Sequence, residues 1–328
     1  MKERFLMIFS YANMQPNKDL VTITNNEEQI VDFIKQMLIM PRKAMYEWSK
    51  ITNQTPNLKI GYPGQHLASL ILGMKGNATG ARGEDICDGS EVKSCSKVDQ
   101  SDKCKNCHEN VLRSENFCRN CGSADIKRNN DSKWLIPVRS DDELRMLLEE
   151  TPRFVFIITD YPEFYNNNFD DIRIRAFEVW VQSERCKNFR ILMENYYSYI
   201  YKEHIRINPN KTPAPKNIFP DMFPFYMCNP IKIFDCSIKN SLSRNPKPII
   251  NHYVKPYESR LNIKSEVMPI KLLKPFEKEV LKQHDIDVKH LTCIDEEMRA
   301  LLPLRDTDKS IKTIGTKKHK KVEQIVQS

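Results

Sequence analysis

The residues best suited to chemistry lie in the run Glu84-Asp85-Ile86-Cys87-Asp88-Gly89-Ser90-Glu91-Val92-Lys93-Ser94. It reads as two short strands around Asp88-Gly89, and the turn decides which side chains share a face. A two-residue turn pairs Cys87 with Ser90 and Ile86 with Glu91, which sets Glu84 beside Glu91 and Lys93 and turns Asp85 away. A three-residue turn with Gly89 left-handed pairs Ile86 with Ser90. Asp85 then stands across from Glu91, Cβ atoms about 5 Å apart, with Lys93 two residues on along the same face. Glu84 is therefore the rival to Asp85, and Asp88 reads as a turn residue.

Two carboxylates that close repel, and one keeps a proton unless a cation is shared. Magnesium prefers hard oxygen ligands, and Asp85, Glu91 and the Val92 carbonyl can supply them. Such an ion polarises a phosphoryl oxygen and lowers the pKa of an attacking water. Lys93 can orient that water and stabilise charge developing on the phosphate. The plain alternative is an exposed hairpin with ordinary surface charges, because Glu-x-Lys alone is common. The spacing Asp-x5-Glu-x-Lys beside the glycine-rich approach 76–83 is more specific.

The second cluster is Cys104-x2-Cys107 followed, after ten residues, by Cys118-x2-Cys121. Each pair can form a knuckle presenting two thiolates, and two knuckles complete a tetrahedral zinc site. With all four positions filled by sulfur, such zinc is structural, and its binding energy orders a polar segment that lacks a core. A redox Cys-x-x-Cys would sit in a thioredoxin-like βαβ context, which the sequence around it does not offer. His108 reads as a bystander, and Cys87 and Cys95 as packed thiols. Arg113, Arg119, Lys127 and Arg128 lie between and after the knuckles, where they could touch DNA phosphates or simply line a solvated surface.

The surrounding elements must position these two clusters. The chain of 328 residues is 40% hydrophobic and 29% charged, enough for one large domain or two modest ones with a sizeable core. No run of about 18 apolar residues suggests a membrane span, and residues 1–9 read as part of the fold of a cytoplasmic protein rather than a leader. The net charge of +8 suits a polyanionic partner without establishing one. Six of the ten cysteines are scattered, unlike a secreted disulfide framework. Helical spacing runs over 26–49 with a break at Pro41, and over 63–73 from Pro63 to Gly73. Helices are also predicted near 141–149 and 275–284. An apolar strand spans 153–159, and an alternating one spans 172–181, with Ile172, Ile174 and Ala176 opposed to Arg173, Arg175 and Phe177. Six lysines from Lys309 to Lys321 mark a basic tail.

Four stretches together resemble a known family. They are Gly61-Tyr62-Pro63-Gly64-Gln65-His66-Leu67-Ala68-Ser69-Leu70, then Gly80-Ala81-Arg82-Gly83-Glu84-Asp85, then Asp88-Gly89-Ser90-Glu91-Val92-Lys93-Ser94-Cys95-Ser96, and the four-cysteine ribbon ending in Asp131-Ser132-Lys133-Trp134. The resemblance is to the MamI family of type II restriction endonucleases, over roughly residues 60–140. It implies an α/β fold of the PD-(D/E)xK type, a mixed sheet flanked by helices, with an inserted zinc ribbon. It also implies magnesium-dependent hydrolysis of phosphodiester bonds in double-stranded DNA at a specific, palindromic site, leaving 5′-phosphate ends. Asp85, Glu91 and Lys93 match that superfamily's motif. The proline usual before the first aspartate is replaced by Glu84, so Glu84 and Asp85 both stay open. The hairpin also resembles the mismatch-repair nickases, but their helix glutamate corresponds to Ala68 here.

The expected organisation is a helical arm over 1–57 and a nuclease core over 58–200 interrupted by the ribbon at 96–130. A region for DNA or dimer contacts follows over 201–328, with the basic tail from about 305. Cutting both strands of a palindrome implies a homodimer, and a restriction enzyme implies a cognate DNA methyltransferase. A non-catalytic zinc-ribbon DNA-binding protein and a repair nickase are the competing readings.

Overall fold

The computed structural model describes residues 14–24, 26–78 and 83–305. The leader-like start, the middle of the glycine-rich approach and the lysine-rich tail lie outside the described residues.

A mixed sheet of five strands forms the centre: β1 (Glu91–Ser96), β2 (Arg153–Asp160), β3 (Ile172–Trp180), β4 (Ile231–Ile238) and β5 (Pro248–Tyr253), adjacent in that order. β1 runs parallel to β2, and every later pair is antiparallel. A parallel neighbour needs a long crossover, and residues 97–152 supply it, carrying the cysteine ribbon. β2 is buried along its whole length, as its Phe-Val-Phe-Ile-Ile run predicts for a strand covered on both faces. β3 departs from its alternating pattern, because it too is covered on both faces. Its Arg175 is buried and paired with Asp160 and Asp221, the latter at 2.8 Å. The last two strands come from beyond residue 200.

Helices close both faces. α3 (Gly61–Leu72) lies against β1, and its Gly64 lets it approach: a Cβ there would meet the Ser94 hydroxyl at 1.8 Å. Gly73, at φ +66°, ends α3 as predicted. On the other face Phe189 of α4 (Lys187–Asn195) packs on Phe154 at 5.1 Å between ring centroids. Each such buried ring contributes about 1.5–3 kcal/mol.

Ahead of these, α1 (Asn26–Ile34) and α2 (Met40–Thr52) form one continuous helical rod through a π-helical turn at Lys35–Ile39. The break expected at Pro41 does not occur. Pro41 lies within that rod just after the π-helical turn, whose wider backbone makes room for the ring. Met45, placed on the apolar stripe by regular spacing, points outward as a result. Ile30, Ile34, Leu38 and Ile39 join the same hydrophobic core as the sheet.

Candidate active site and cysteine cluster

β1 is an edge strand, and the carboxylate cluster forms along its open edge. The expected two-stranded hairpin is only partly present. Ile86 donates its N–H to the Ser90 carbonyl at 3.1 Å, and Gly89 has φ +88°, which is the three-residue turn. Beyond that single rung, 85–87 pairs outward with 75–77: Ile86 bridges Gly76, and the Cys87 N–H donates to Lys75 at 2.9 Å. The next rung towards β1 is made by a side chain. The Val92 N–H donates to Asp85 Oδ2 at 2.8 Å, so the carboxylate takes the place of a backbone acceptor. Gln65, in the first turns of α3, donates from Nε2 to Asp85 Oδ1 at 2.5 Å.

This places Asp85 beside Glu91, whose carboxylate is paired with Lys93 on the same face of β1. Both acids are partly buried. Burial pushes the Asp85 carboxyl above its ordinary range, and the Val92 N–H and Lys93 only partly pull it back. Burial also raises Glu91, with Asp85 and Glu84 repelling its charge and Lys93 opposing them. Two neighbouring acids that resist ionisation beside an ammonium are what a hard divalent cation would relieve. Glu84 is exposed and its carbonyl accepts from Asn77; Asp85, not Glu84, carries the bonds to α3 and β1. Asp88 is the turn residue expected: its Oδ1 accepts from the Ser90 N–H at 3.0 Å.

Sequence reasoning missed what holds this turn. Arg153, fully buried at the start of β2, donates to Asp88 at 2.8 Å, to the Ser90 hydroxyl at 2.9 Å and to Glu178 at 2.8 Å. Glu178 also accepts from Arg260 and the Trp180 indole. Burial acts to raise Glu178, but Arg260 and Arg153 outweigh it and hold its carboxyl below the usual range. The only signal was an arginine heading an otherwise apolar strand. Gln65 was visible within the Gly64-Gln65 pair, but nothing in the sequence linked it to Asp85. Ala68, the position of the nickase glutamate, is buried in the core, so α3 brings no carboxylate there. Cys95 is buried as expected, and burial pushes its thiol up to about 12.

The four cysteines converge. Cys104, Cys107, Cys118 and Cys121 have all four sulfurs within 4.8 Å of one another. Cys104 Sγ lies 3.6 Å from Cys121 Sγ, and Cys107 Sγ lies 3.5 Å from Cys118 Sγ. A tetrahedral zinc with about 2.3 Å bonds needs sulfurs about 3.8 Å apart, so the donor set fits that ion. The knuckles are built alike. The residue after each second cysteine sits left-handed, His108 at φ +62° and Gly122 at φ +69°. Its N–H returns to the carbonyl of the first cysteine, at 3.1 and 2.8 Å respectively. Hydrogen bonding, led by the Glu109 backbone, draws the Cys107 thiol down, while the neighbouring Cys118 thiol is pushed up by Cys107 and Cys121, so the crowded sulfurs share protons when no cation is bound. Around the cluster Asn110–Val111, Asp102–Cys104 and Ile126–Lys127 form a small three-stranded sheet.

The four basic residues of the ribbon separate into two kinds. Arg113 is buried: it pairs with Asp102 at 3.0 Å and stacks over Phe169 at 4.8 Å. Arg128 donates to the same Asp102 at 2.8 Å. These pairs brace the ribbon internally, and both guanidiniums also lie over the Phe169 ring of the body, Arg128 at 5.3 Å, so neither is free to serve as a phosphate contact. Lys127 and Arg119 are exposed, with Arg119 also donating to Asn53 at 2.8 Å.

A family model described as MamI restriction endonuclease matches residues 47–271. The chain belongs to the MamI restriction endonuclease family. The match takes in the carboxylate turn, the cysteine ribbon and all five strands. Among curated relatives, the type II restriction enzyme MamI of Microbacterium ammoniaphilum is 27% identical over 170 residues, 52% of this chain and 47% of the relative. The aligned part thus spans about half the length of that relative. No solved structure matches. Among the described residues, no helix is long and apolar enough to cross a membrane.

Proposed function

We propose that this member of the MamI family is a type II restriction endonuclease of the PD-(D/E)xK kind, hydrolysing phosphodiester bonds of double-stranded DNA with magnesium. It would cut within a specific palindromic site and leave 5′-phosphate ends. The observation that carries the reading is Asp85 held against the Glu91–Lys93 pair at the open edge of a mixed sheet. The parallel β1–β2 pair and the helix packed on β1 support a nuclease core of this kind. The buried Ala68 argues against the nickase reading, and the two raised acids argue against a protein that only binds.

Asp85, Glu91 and the Val92 carbonyl would hold the cation, which supplies Lewis-acid polarisation of a phosphoryl oxygen and a more acidic water. Gln65 and the Val92 N–H fix the Asp85 carboxylate so that no rotamer search precedes binding. Lys93 neutralises Glu91 in the free protein, and in the reaction its ammonium orients the attacking water and meets charge developing on the phosphate. The exposed Arg119 and Lys127 would contact DNA phosphates. Zinc held by Cys104, Cys107, Cys118 and Cys121 is structural, since no ligand position is left open. The enzyme acts as a homodimer in the cytoplasm, beside a cognate methyltransferase that protects host DNA.

The test is incubation of the purified protein with plasmid and magnesium, followed by sequencing of the fragment ends. Discrete fragments with 5′-phosphates and one shared end sequence are expected. A smear or a nicked circle contradicts site-specific double-strand cleavage, and an intact plasmid retained on the protein indicates binding alone.

A further inference from the structure

The end of the sheet away from the carboxylates carries two long loops, residues 161–171 between β2 and β3 and residues 239–247 between β4 and β5. A two-residue turn is enough to join antiparallel neighbours, and long loops held in place by a rigid scaffold are where binding functions concentrate. These two are locked together. The Ser241 N–H donates to the Asp170 carbonyl at 2.9 Å, and the Asn240 N–H to Asp171 Oδ1 at 2.8 Å. The buried Arg42 donates to the Ser241 hydroxyl at 2.5 Å and to the Phe169 carbonyl at 3.3 Å, and Lys43 donates to the Ser243 carbonyl at 2.6 Å. Phe169 in turn lies under the Arg113 and Arg128 guanidiniums of the ribbon. The ribbon and both loops therefore form one braced tip.

The side chains that this tip leaves free are donors suited to nucleic acid. Arg244, Asn245 and Lys247 are exposed on the second loop, and Asn167 and Tyr165 on the first, Tyr165 at 87%. Exposed arginines elsewhere are neutralised within the chain: Arg119 by Glu115, Arg145 by Glu150 and Arg206 by Glu203. Arg244 and Lys247 have no carboxylate partner among the described residues. The neighbouring acids are largely engaged. Asp171 holds Lys239 at 2.8 Å, and Glu163 accepts from Asn166 at 2.6 Å, while Asp170 is exposed. A guanidinium beside a carboxamide is the pair matched to purine edges in the major groove, arginine to guanine O6 and N7 and asparagine to adenine N6 and N7. A loop backbone anchored in advance lowers the ordering cost of placing them there.

We propose that this tip is the sequence-reading surface of the protein: Arg244 and Asn245 contact base edges in the major groove, and Lys247 contacts a phosphate beside them. The inference rests on the reading of the protein as a site-specific DNA enzyme, and it sets reading and cutting at opposite ends of the sheet. In register, Lys93 aligns with Phe156, Phe177 and Lys232, so the loop that follows Ile238 lies three strands across and six residues along. At about 4.8 Å per strand and about 3.3 Å per residue the separation is about 25 Å. That is about seven base pairs of duplex at about 3.4 Å each, so one DNA site can span both ends.

The test uses the full-length protein and a library of duplexes with a randomised stretch. In binding without added magnesium, the wild type enriches one sequence. Arg244→Ala loses discrimination at one base position by about 10-fold or more, and Asn245→Ala loses it at a neighbouring position. Lys247→Ala weakens binding to all sequences alike and lowers the salt slope by about one. The three side chains are exposed, so the melting temperature of each variant stays at the wild-type value. With magnesium, the ends of fragments cut from the same library by Arg244→Ala show the same relaxed position. A wild type that enriches a sequence and cuts nothing sinks the nuclease reading and leaves the reading tip standing. Base preferences that Arg244→Ala and Asn245→Ala both leave intact overturn the tip, as does a wild type that enriches no sequence.

Discussion

The cysteine ribbon, whose own core is little more than Val111 and Ile126 around its cysteines, and the carboxylate turn are ordered by different means. The ribbon closes on itself: two knuckles repeat the same backbone bonds around four sulfurs, and Asp102 with Arg113 and Arg128 ties it down. The carboxylate turn is held from outside by groups distant in sequence. Gln65 comes from α3, Arg153 from β2, and Glu178 with Arg260 stands behind Arg153. A site assembled from several elements can hold two reluctant acids together, because the core opposes their repulsion. Four thiolates closed locally would need a shared cation to do the same.

The largest contrast should come from removing the zinc proposed for the ribbon. Structural zinc contributes about 10–16 kcal/mol in small zinc-finger peptides. A zinc chelator should therefore strip amide-exchange protection from residues 101–130 while β2 keeps its own. Unchanged exchange in the ribbon would show that it does not rest on metal. Next in size is Arg153→Met, which leaves Asp88 without its buried cation and Glu178 with only Arg260 and the Trp180 indole. A loss of about 3–5 kcal/mol is expected in denaturant unfolding, with zinc content unchanged. A loss confined to the ribbon would reverse the assignment of which region depends on this arginine.

Gln65→Leu should act on the carboxylate turn alone. It removes a donor to a charged acceptor, so cleavage should fall about 10- to 100-fold. The donor favours the ionised form of Asp85, which burial already pushes up; its loss pushes that carboxyl higher still. Cleavage needs the carboxylate, so the acid limb of the pH–rate profile should move to higher pH. A rate loss with an unmoved limb would make Gln65 a packing residue only. The smallest effect is expected at the knuckles. His108 occupies the left-handed position that Gly122 fills on the other side, so His108→Gly should stabilise the ribbon by about 0.5 kcal/mol. The reciprocal Gly122→His should destabilise it. Thermal melting with zinc present reads both.

What the sequence revealed follows the same division. The ribbon was legible because its chemistry lies in local spacing, and β2 and α3 because their patterns are long and regular. The three-residue turn at Asp88-Gly89 could be derived as one of two options, since Gly89 can adopt the left-handed conformation. The hairpin expected from that turn forms only its first rung, because the Asp85 side chain takes the Val92 N–H that a second strand would have used. Gln65 and Arg153 stayed hidden because their partners lie 20 and 65 residues away. The burial of Arg113 was equally unreadable, since an arginine between two cysteine knuckles looks the same in sequence whether it faces DNA or Asp102.

The most direct test of the carboxylate site compares cutting with binding in Glu91→Ala. With magnesium and a cleavable duplex, single-turnover cleavage should drop about 1000-fold or more, while affinity for the same duplex stays within about threefold. Cleavage at the wild-type rate by Glu91→Ala would contradict a site built on Asp85, Glu91 and Lys93.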